Sequence, residues 1–329
     1  MTSNPARNRH LTIVVATLTR QRPTMLQALL LSWGRMVLPP DCTLRCLVVE
    51  NDSAENSRQM VETCRMPNGA ALAYVLEPEL GIPFARNRAA REAIAGGADL
   101  LAFVDDDEEV APDWLDRLVA GYRRSDAVLI GAPLRIGPLT DPAARWSERL
   151  MHRSLSARYL RKEARAARRA DLPGCPGVTV VTNNWLAETG LFTEHGLWFD
   201  ETMRFTGGSD AKFCADARAA GLRVGWVTDA FVHETVPPER LSFLYQFRRG
   251  RDQSNTHFLR RIAKRPASRF GVLVSVPLRA VLVMALILAL PLTRGRTYVD
   301  VARSAGWIVG RLSALAGRRS ALYSQVTGN

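Results

Sequence analysis

The chain has 329 residues, 47% of them apolar and 23% charged, the balance of a globular protein with a sizeable core in one large domain or two small ones. Five irregularly spaced cysteines (Cys42, Cys46, Cys64, Cys175 and Cys214) exclude a paired disulfide framework, so reduced thiols in a cytosolic setting are expected. Residues 1–10 carry no apolar secretory segment, and a net charge of +12 points to an anionic partner: nucleic acid, anionic lipid or a phosphorylated substrate.

Leu11 to Ala16 is a short apolar run rich in β-branched residues and predicts a first strand. It leads into Thr17-Leu18-Thr19-Arg20-Gln21-Arg22-Pro23. Pro23 and Thr24 suit the first turn of a helix whose apolar face is Leu26, Leu29, Leu30 and Trp33. Hydroxyls and arginines between a strand end and a helix N-terminus suit an anion such as a diphosphate, and an ordinary βα turn explains them equally well. Cys42 to Val49 predicts the second strand, which stops at Glu50-Asn51-Asp52-Ser53. An acidic residue there can hydrogen-bond a base or ribose, or the segment can be a polar turn that caps the next helix. Ala71 to Leu76 predicts a third strand, and Gly81 opens a helix to about Ala95. Arg86 and Arg88 in its first turns oppose the helix dipole, which favours an anion nearby.

In Leu100 to Glu109, five apolar residues run straight into five carboxylates. The apolar half predicts a strand buried on both faces of a parallel sheet, with the carboxylates at its carboxyl end, where open α/β sheets bind ligands. Asp105 and Asp107 can both turn toward one point. Adjacent carboxylates repel, so a counter-cation is expected, and hard oxygen ligands favour Mg²⁺ or Mn²⁺ held by one or two carboxylates plus phosphates. A solvated acidic turn at a helix N-terminus is the competing reading.

Pro112 to Tyr122 predicts a helix and Ala127 to Ala132 a strand. His152 to Arg169 is rich in Arg and Ala, either a solvated basic helix or a surface for phosphate-bearing lipid or an anionic acceptor. Val178 to Val181 predicts a strand leading into Thr182-Asn183-Asn184-Trp185, where Trp185 suits either a sugar face or the core. Gly207-Gly208-Ser209-Asp210 allows close approach of a ligand before a helix that stops at Gly221, with Asp210 at its N-cap or first turn. Leu222 to Val227 predicts a last strand, ahead of Val232-His233-Glu234-Thr235-Val236-Pro237.

Phe247 to Arg269 carries eight Lys and Arg residues, and Phe270 to Leu292 then has one charge, Arg279. The apolar stretch is long enough to span a bilayer, but arginines flank it on both sides, which fits poorly with a single span. Tyr298 to Leu315 has a narrow polar stripe and a wide apolar face. A helical hairpin or in-plane pair held by apolar insertion and by arginine on anionic lipid is expected; a buried core helix is the alternative.

Taken in order, these blocks resemble a family-two, GT-A-fold glycosyltransferase over about residues 10–255. They are Thr17 to Pro23, Glu50-Asn51-Asp52, Gly81 with Ala85-Arg86-Asn87, the D-x-D of Asp105 and Asp107, and Gly207-Gly208-Ser209-Asp210. The tail Asp229-Ala230, Glu234, Val236-Pro237, Arg240 and Phe247-Arg248-Arg249-Gly250 is similar to that of bacterial succinoglycan-type exopolysaccharide glycosyltransferases.

The resemblance implies an α/β fold with a Rossmann-like, mostly parallel central sheet. A GT-A domain would cover 1–245, its donor half about 1–135 and its acceptor half about 136–245, with a basic, apolar membrane-associated helical segment over 246–329. It implies an inverting, metal-dependent transferase of the hexosyltransferase type, using Mg²⁺ or Mn²⁺. The donor would be a nucleotide-sugar, by choice a UDP-sugar. The C-terminal arginine-rich and apolar segments are not part of the core resemblance; they fit an acceptor that is lipid-linked (a polyprenyl-diphosphate sugar) or a glycan, met at the cytoplasmic face of the inner membrane. Thr17, Thr19, Arg20, Glu50, Asp52, Arg86 and Asp105 would hold the nucleotide. Asp107 with Asp105 would take the metal, and His233 would be a further ligand or simply structural. Asn184, Trp185, Gly208 and Ser209 would meet the acceptor, and Asp210 would be the general base. The family usually has Glu-Asp where this chain has Ser209-Asp210, and often an acidic residue where this chain has Lys212. Those departures motivate a second reading, a non-catalytic membrane adaptor on a degenerate transferase fold; a nucleotidyltransferase is a third. No nucleic-acid motif accompanies the arginines, so nucleic acid is not an expected partner.

Overall fold

The computed structural model describes residues 7–172, 175–204 and 207–318, the side chain of Lys264 excepted. By compactness these fall into two units, 7–135 with 162–235 and 136–161 with 236–318. The helices from Phe243 onward therefore share a unit with residues 136–161, a cut different from the expected boundary at 245/246.

The first unit is built on strands β1 (Leu11–Thr19), β2 (Cys42–Glu50), β3 (Ala71–Leu76), β4 (Leu100–Val104), β5 (Glu108–Val110), β6 (Leu129–Gly131), β7 (Leu134–Ile136), β8 (Asn184–Glu188), β9 (Val224–Trp226) and β10 (Val232–Glu234). Seven form one sheet in the order β3-β2-β1-β4-β8-β6-β9, and β5-β10-β7 form a second. The pairs among β1, β2, β3 and β4 are parallel, as is β6 with β9; β8 runs antiparallel to both its neighbours. Helices are α1 (Pro23–Gly34), α2 (Arg58–Thr63), α3 (Ile82–Ala95), α4 (Trp114–Arg123), α5 (Trp146–Ala170, divided between the units), α6 (Gly190–Thr193) and α7 (Ser209–Ala219).

Strand alternation splits the core of this unit between the two faces of the large sheet. Leu11, Ile13 and Val15 of β1 pack with Leu26, Leu29, Leu30 and Trp33 of α1 and with Trp114, Leu115 and Leu118 of α4. Val14 and Ala16 pack on the other face with Ala85, Ala89, Ala90 and Ala93 of α3 and Phe213, Cys214 and Ala217 of α7. The alanine face of α3 lets that helix lie close to the sheet. Gly81 just before it has φ 142°, and a Cβ there would lie 2.8 Å from that of Arg204, so the start of this helix needs glycine on both counts.

One expected element is misplaced. The β-branched run 178–181 forms no strand; the strand lies downstream, as β8, where Asn184 pairs with Val104 and Trp185 with Phe103. Tertiary pairing with β4 outweighs local β propensity here.

The second unit holds α8 (Phe243–Lys264), α9 (Val272–Leu292) and α10 (Tyr298–Leu315). α8 and α10 approach through glycines. A Cβ on Gly306 would sit 2.0 Å from the carbonyl oxygen of Phe247, and one on Gly310 2.2 Å from that of Arg251. Ser154 of α5 accepts from the Val299 amide at 2.9 Å and donates to the Arg296 carbonyl at 3.0 Å, and Asp300 accepts from Arg158 and Arg161. α9 contrasts with these packed helices. Residues 266–292 are long and apolar enough to cross a membrane, and only 6% of their most apolar window is buried. Leu273, Val274, Leu278, Val281, Met284, Leu288 and Leu292 are all exposed, so α9 is not a core helix of this unit.

Candidate active site

In the first unit the carboxyl ends of β1, β2 and β4 reach one edge of the sheet, with Thr19 beside Glu50 and Ala16 beside Phe103. From β1 the chain builds outward through β2 and β3 on one side, then returns to place β4 on the other. The β1/β4 boundary is thus a topological switch point, where open α/β sheets leave a ligand crevice.

The acidic run fills that crevice. Thr19 Oγ1 donates to Asp106 Oδ2 at 2.9 Å, and Arg22 Nη1 donates to Asp106 Oδ1 at 2.9 Å while standing 3.5 Å from Asp107 Oδ2. The Asp105 amide donates to Glu108 Oε2 at 2.8 Å, closing a tight turn. Asp106, Asp107 and Glu108 are buried and Asp105 is half-buried. Withdrawal from solvent, then the Asp107 charge, holds the Asp105 carboxyl well above the usual carboxylate range. Asp106 and Asp210 push it the same way and Arg86 opposes them. Burial raises Asp106 against the pull of Arg22, and it raises Glu108 together with the charges of Asp105 and Asp107.

α3 and α7 supply the other wall. Arg86 Nη1 donates to Ser209 Oγ at 3.0 Å, and its guanidinium lies 5.4 Å from the centre of the Phe199 ring. Gly208 caps α7 in the left-handed region at φ 84°, which starts the helix so that Asp210 occupies its first turn, half-buried and near enough for its charge to act on Asp105. After β2, Asp52 accepts from Gln21 at 2.8 Å and from the Ser53 amide at 2.8 Å, with Arg20 Nε 3.9 Å away. The structure therefore brings Asp105, Asp107, Arg86, Ser209 and Asp210 together, and Arg20 with Asp52 beside the same edge. Four consecutive carboxyl groups with Asp210 nearby, set against Arg22 and Arg86, carry an excess of negative charge and hard oxygen donors. A divalent cation fits that set. Among the described residues no group of three or more His, Cys, Asp and Glu side chains is placed to hold a metal ion by itself.

Several expected contacts are instead structural. Glu50 is fully buried, and its carboxylate accepts from the Ser57 amide, Ser57 Oγ and Tyr74 Oη, so it builds the loop after β2. Thr17 is wholly enclosed within β1, and the Thr19 hydroxyl is engaged by Asp106. Asn184, 1% exposed, accepts from Trp114 Nε1 at 2.9 Å and donates to the carbonyls of Pro133 and Ala230, both at 2.8 Å. Trp185, also 1% exposed, stacks on Phe103 with 5.7 Å between centroids and meets Phe213 edge-on, so it offers no ring face to a sugar. His233 pairs across the small sheet with Glu109; burial and Arg135 push its pKa down. Strand alternation turns Glu234, not His233, toward Glu108 and the acidic turn. Lys212 is exposed and bonded to Asp216 on its own helix.

Sequence reading missed Arg22 and Asp106, which join β1 to the acidic turn. It also missed the role of Asn51, which accepts from the Gly81 amide and donates to the carbonyls of Glu77 and Glu79. Removing the buried Asn184 as Asn184→Ala leaves Trp114 Nε1 without its acceptor and should cost about 2–4 kcal/mol. Urea unfolding measures this; unchanged stability with weakened ligand binding would return Asn184 to the site.

Comparison with known proteins turns this geometry into a family. The description Glycosyl transferase family 2 matches residues 12–183, and Glycosyl transferase family group 2 matches residues 100–298. The chain belongs to glycosyltransferase family 2. This family-2 glycosyltransferase is 30% identical over 252 residues to the succinoglycan biosynthesis protein ExoM of Rhizobium meliloti (strain 1021), covering 76% of this chain and 75% of that one. Mannosyltransferase PcManGT from Pyrobaculum calidifontis, solved with GDP-Man and Mn²⁺, matches with a TM-score of 0.59 at 18% identity, over 96% of this chain and 90% of the other. S. aureus TarS 1-349 in complex with UDP-GlcNAc matches with a TM-score of 0.50 at 13% identity, over 94% and 93%. At these identities the solved structures establish the shared GT-A fold, in agreement with the expectation from the sequence blocks.

Proposed function

We propose that this chain is a metal-dependent, inverting glycosyltransferase that moves a sugar from a nucleotide-diphosphate donor, a UDP-sugar by preference, to a lipid-linked or glycan acceptor in bacterial exopolysaccharide synthesis. The observation that carries the reading is the convergence of Asp105, Asp107, Arg86 and Asp210 at the β1/β4 crevice. The relationship to ExoM supports the exopolysaccharide context, and the complexes of PcManGT with GDP-Man and of TarS with UDP-GlcNAc support a nucleotide-sugar donor.

In this reading Asp52 and Arg20 receive the nucleoside, and Arg86 faces the diphosphate. Asp107, with Asp105, holds Mg²⁺ or Mn²⁺, which when bound supplies Lewis-acid stabilisation of the departing diphosphate. Arg22 and Thr19 hold Asp106 and so keep the acidic turn in place. Asp210 accepts the proton of the acceptor hydroxyl, for which it must come within about 3 Å of that oxygen. One base and one in-line displacement give inversion at the anomeric carbon. Gly208 and Ser209 border the acceptor.

The segment from 246 onward, with the uncovered apolar face of α9 and its basic flanks, associates with an anionic membrane surface at the cytoplasmic face. Such a chain suits an acceptor carried on a polyprenyl diphosphate. The test is release of nucleoside diphosphate from UDP-sugars when purified protein meets polyprenyl-diphosphate-linked sugars, with the product configuration read by NMR. Turnover with an inverted anomeric centre is expected. Retention would remove Asp210 as sole base, and no turnover with any lipid-linked or free glycan acceptor would contradict the reading.

A further inference from the structure

Residues 136–161 and 236–318 carry twenty Lys and Arg against five Asp and Glu. Most of these cations are exposed, but Arg240 and Arg311 are buried. Arg311 of α10 is only 9% exposed and its Nε has no hydrogen-bond partner. Its guanidinium is packed against rings, 4.3 Å from the centre of Phe258 and 4.6 Å from that of Trp307. Arg279, the lone charge of α9, lies 4.7 Å from the same Trp307 ring. Among the described residues no carboxylate lies within ion-pair distance of Arg279, Arg311 or Arg261. Aspartates elsewhere in the unit are engaged: Asp300 with Arg158 and Arg161, Asp252 with Arg251. Burial, followed by repulsion from Arg261 and Arg279, pulls Arg311 below its ordinary range; burial first, then the charges of Arg311 and Arg261, depress His257.

Like charges gathered around one aromatic ring without a counter-ion are unfavourable unless an anion joins them. Arginine is suited to that anion being a phosphate, because its planar fork donates two parallel hydrogen bonds. The exposed apolar residues of α9 on either side of Arg279, Leu278 and Leu282 among them, say where the phosphate comes from. An arginine at the middle of an apolar helix that lies in a membrane interface turns its head to the lipid phosphates.

We propose that Arg279 and Arg311, whose guanidinium groups both lie over the Trp307 ring, with Arg261 nearby, form a binding site for the phosphate of an anionic membrane lipid. The site would give α9 a headgroup preference in addition to its apolar insertion. It rests on the membrane-facing reading of this segment and not on the transferase chemistry, so donor nucleotide binding should be untouched by its loss.

The test is binding of the full chain to phosphatidylcholine vesicles and to mixed phosphatidylcholine–phosphatidylglycerol vesicles. Wild type should prefer the mixed vesicles, and Arg279→Gln with Arg311→Met should cut that preference about twenty-fivefold, roughly fivefold for each arginine near the surface. Arg279→Gln alone, at a half-buried position, should cut it about fivefold and serves if the double variant fails to fold. Arg294→Gln with Arg296→Gln removes the same charge at exposed positions and should have a clearly smaller effect. An equal fall in both pairs would mean diffuse attraction and would overturn the site. So would an unchanged preference in the Arg279/Arg311 variants. Inorganic phosphate, titrated without vesicles, separates the sources. If it binds through these arginines while vesicle preference is unaffected by their loss, the site serves a soluble anion and the lipid assignment is wrong.

Discussion

Asp210→Asn is expected to reduce sugar transfer by roughly a thousandfold while the affinity for donor nucleotide stays within about twofold, because a positioned general base typically contributes 10²–10⁴ in rate. The substitution keeps size and a hydrogen-bond acceptor but removes the proton-accepting carboxylate. Its position explains why the two effects should separate. Asp210 sits in the first turn of α7, while Arg86, which faces the diphosphate in the proposed arrangement, is held by Ser209 and not by Asp210. Steady-state kinetics and nucleotide titration on one preparation read both quantities. A variant that loses donor affinity in proportion to its rate would move Asp210 from base to donor contact. One that retains full rate would place the base elsewhere.

Asp107→Ala is expected to abolish the gain in nucleotide affinity that Mn²⁺ confers, a loss on the order of a hundredfold, given that a metal supplies several kcal/mol of charge stabilisation to a phosphoryl group. The same substitution should leave the metal-free protein as stable as wild type or more so. Asp107 adds repulsion to a crowded set, raising both Asp105 and Glu108, and Arg22 keeps its bond to Asp106 when Asp107 is gone. Function and stability pull in opposite directions at this position. Thermal unfolding without metal and calorimetry with it would show the two effects together. An unchanged Mn²⁺ dependence in the variant would place the ion away from Asp107.

The parts of the fold that were legible in the sequence are those where periodicity coincides with burial. β3 and β4 match their apolar runs residue for residue, and Tyr298–Leu315 is one helix over the same bounds. Pro23 marks the start of α1 because its fixed φ suits a first helical turn. Sequence places the strand too early because Val178 to Val181 has the stronger local propensity, whereas Asn184 and Trp185 become a strand only through pairing with β4. Which polar side chain faces the site was the least legible feature. In Asp105-Asp106-Asp107 the pattern of one letter cannot say which carboxylate is drawn back to β1. Thr19 and Arg22, more than eighty residues away, make that choice for Asp106. Trp185 and Asn184 sit among site-like neighbours in sequence, yet Phe103, Phe213 and Trp114 enclose them.

The most direct test of the central claim is calorimetric titration of the protein with UDP, GDP and dTDP, each with and without Mn²⁺. Binding of one diphosphate, UDP by expectation, that strengthens markedly with Mn²⁺ and weakens to the metal-free level in Asp107→Ala is the predicted result. Failure of all three to bind with metal present would contradict the assignment of the β1/β4 crevice as a donor site and leave this chain a transferase fold without transferase chemistry.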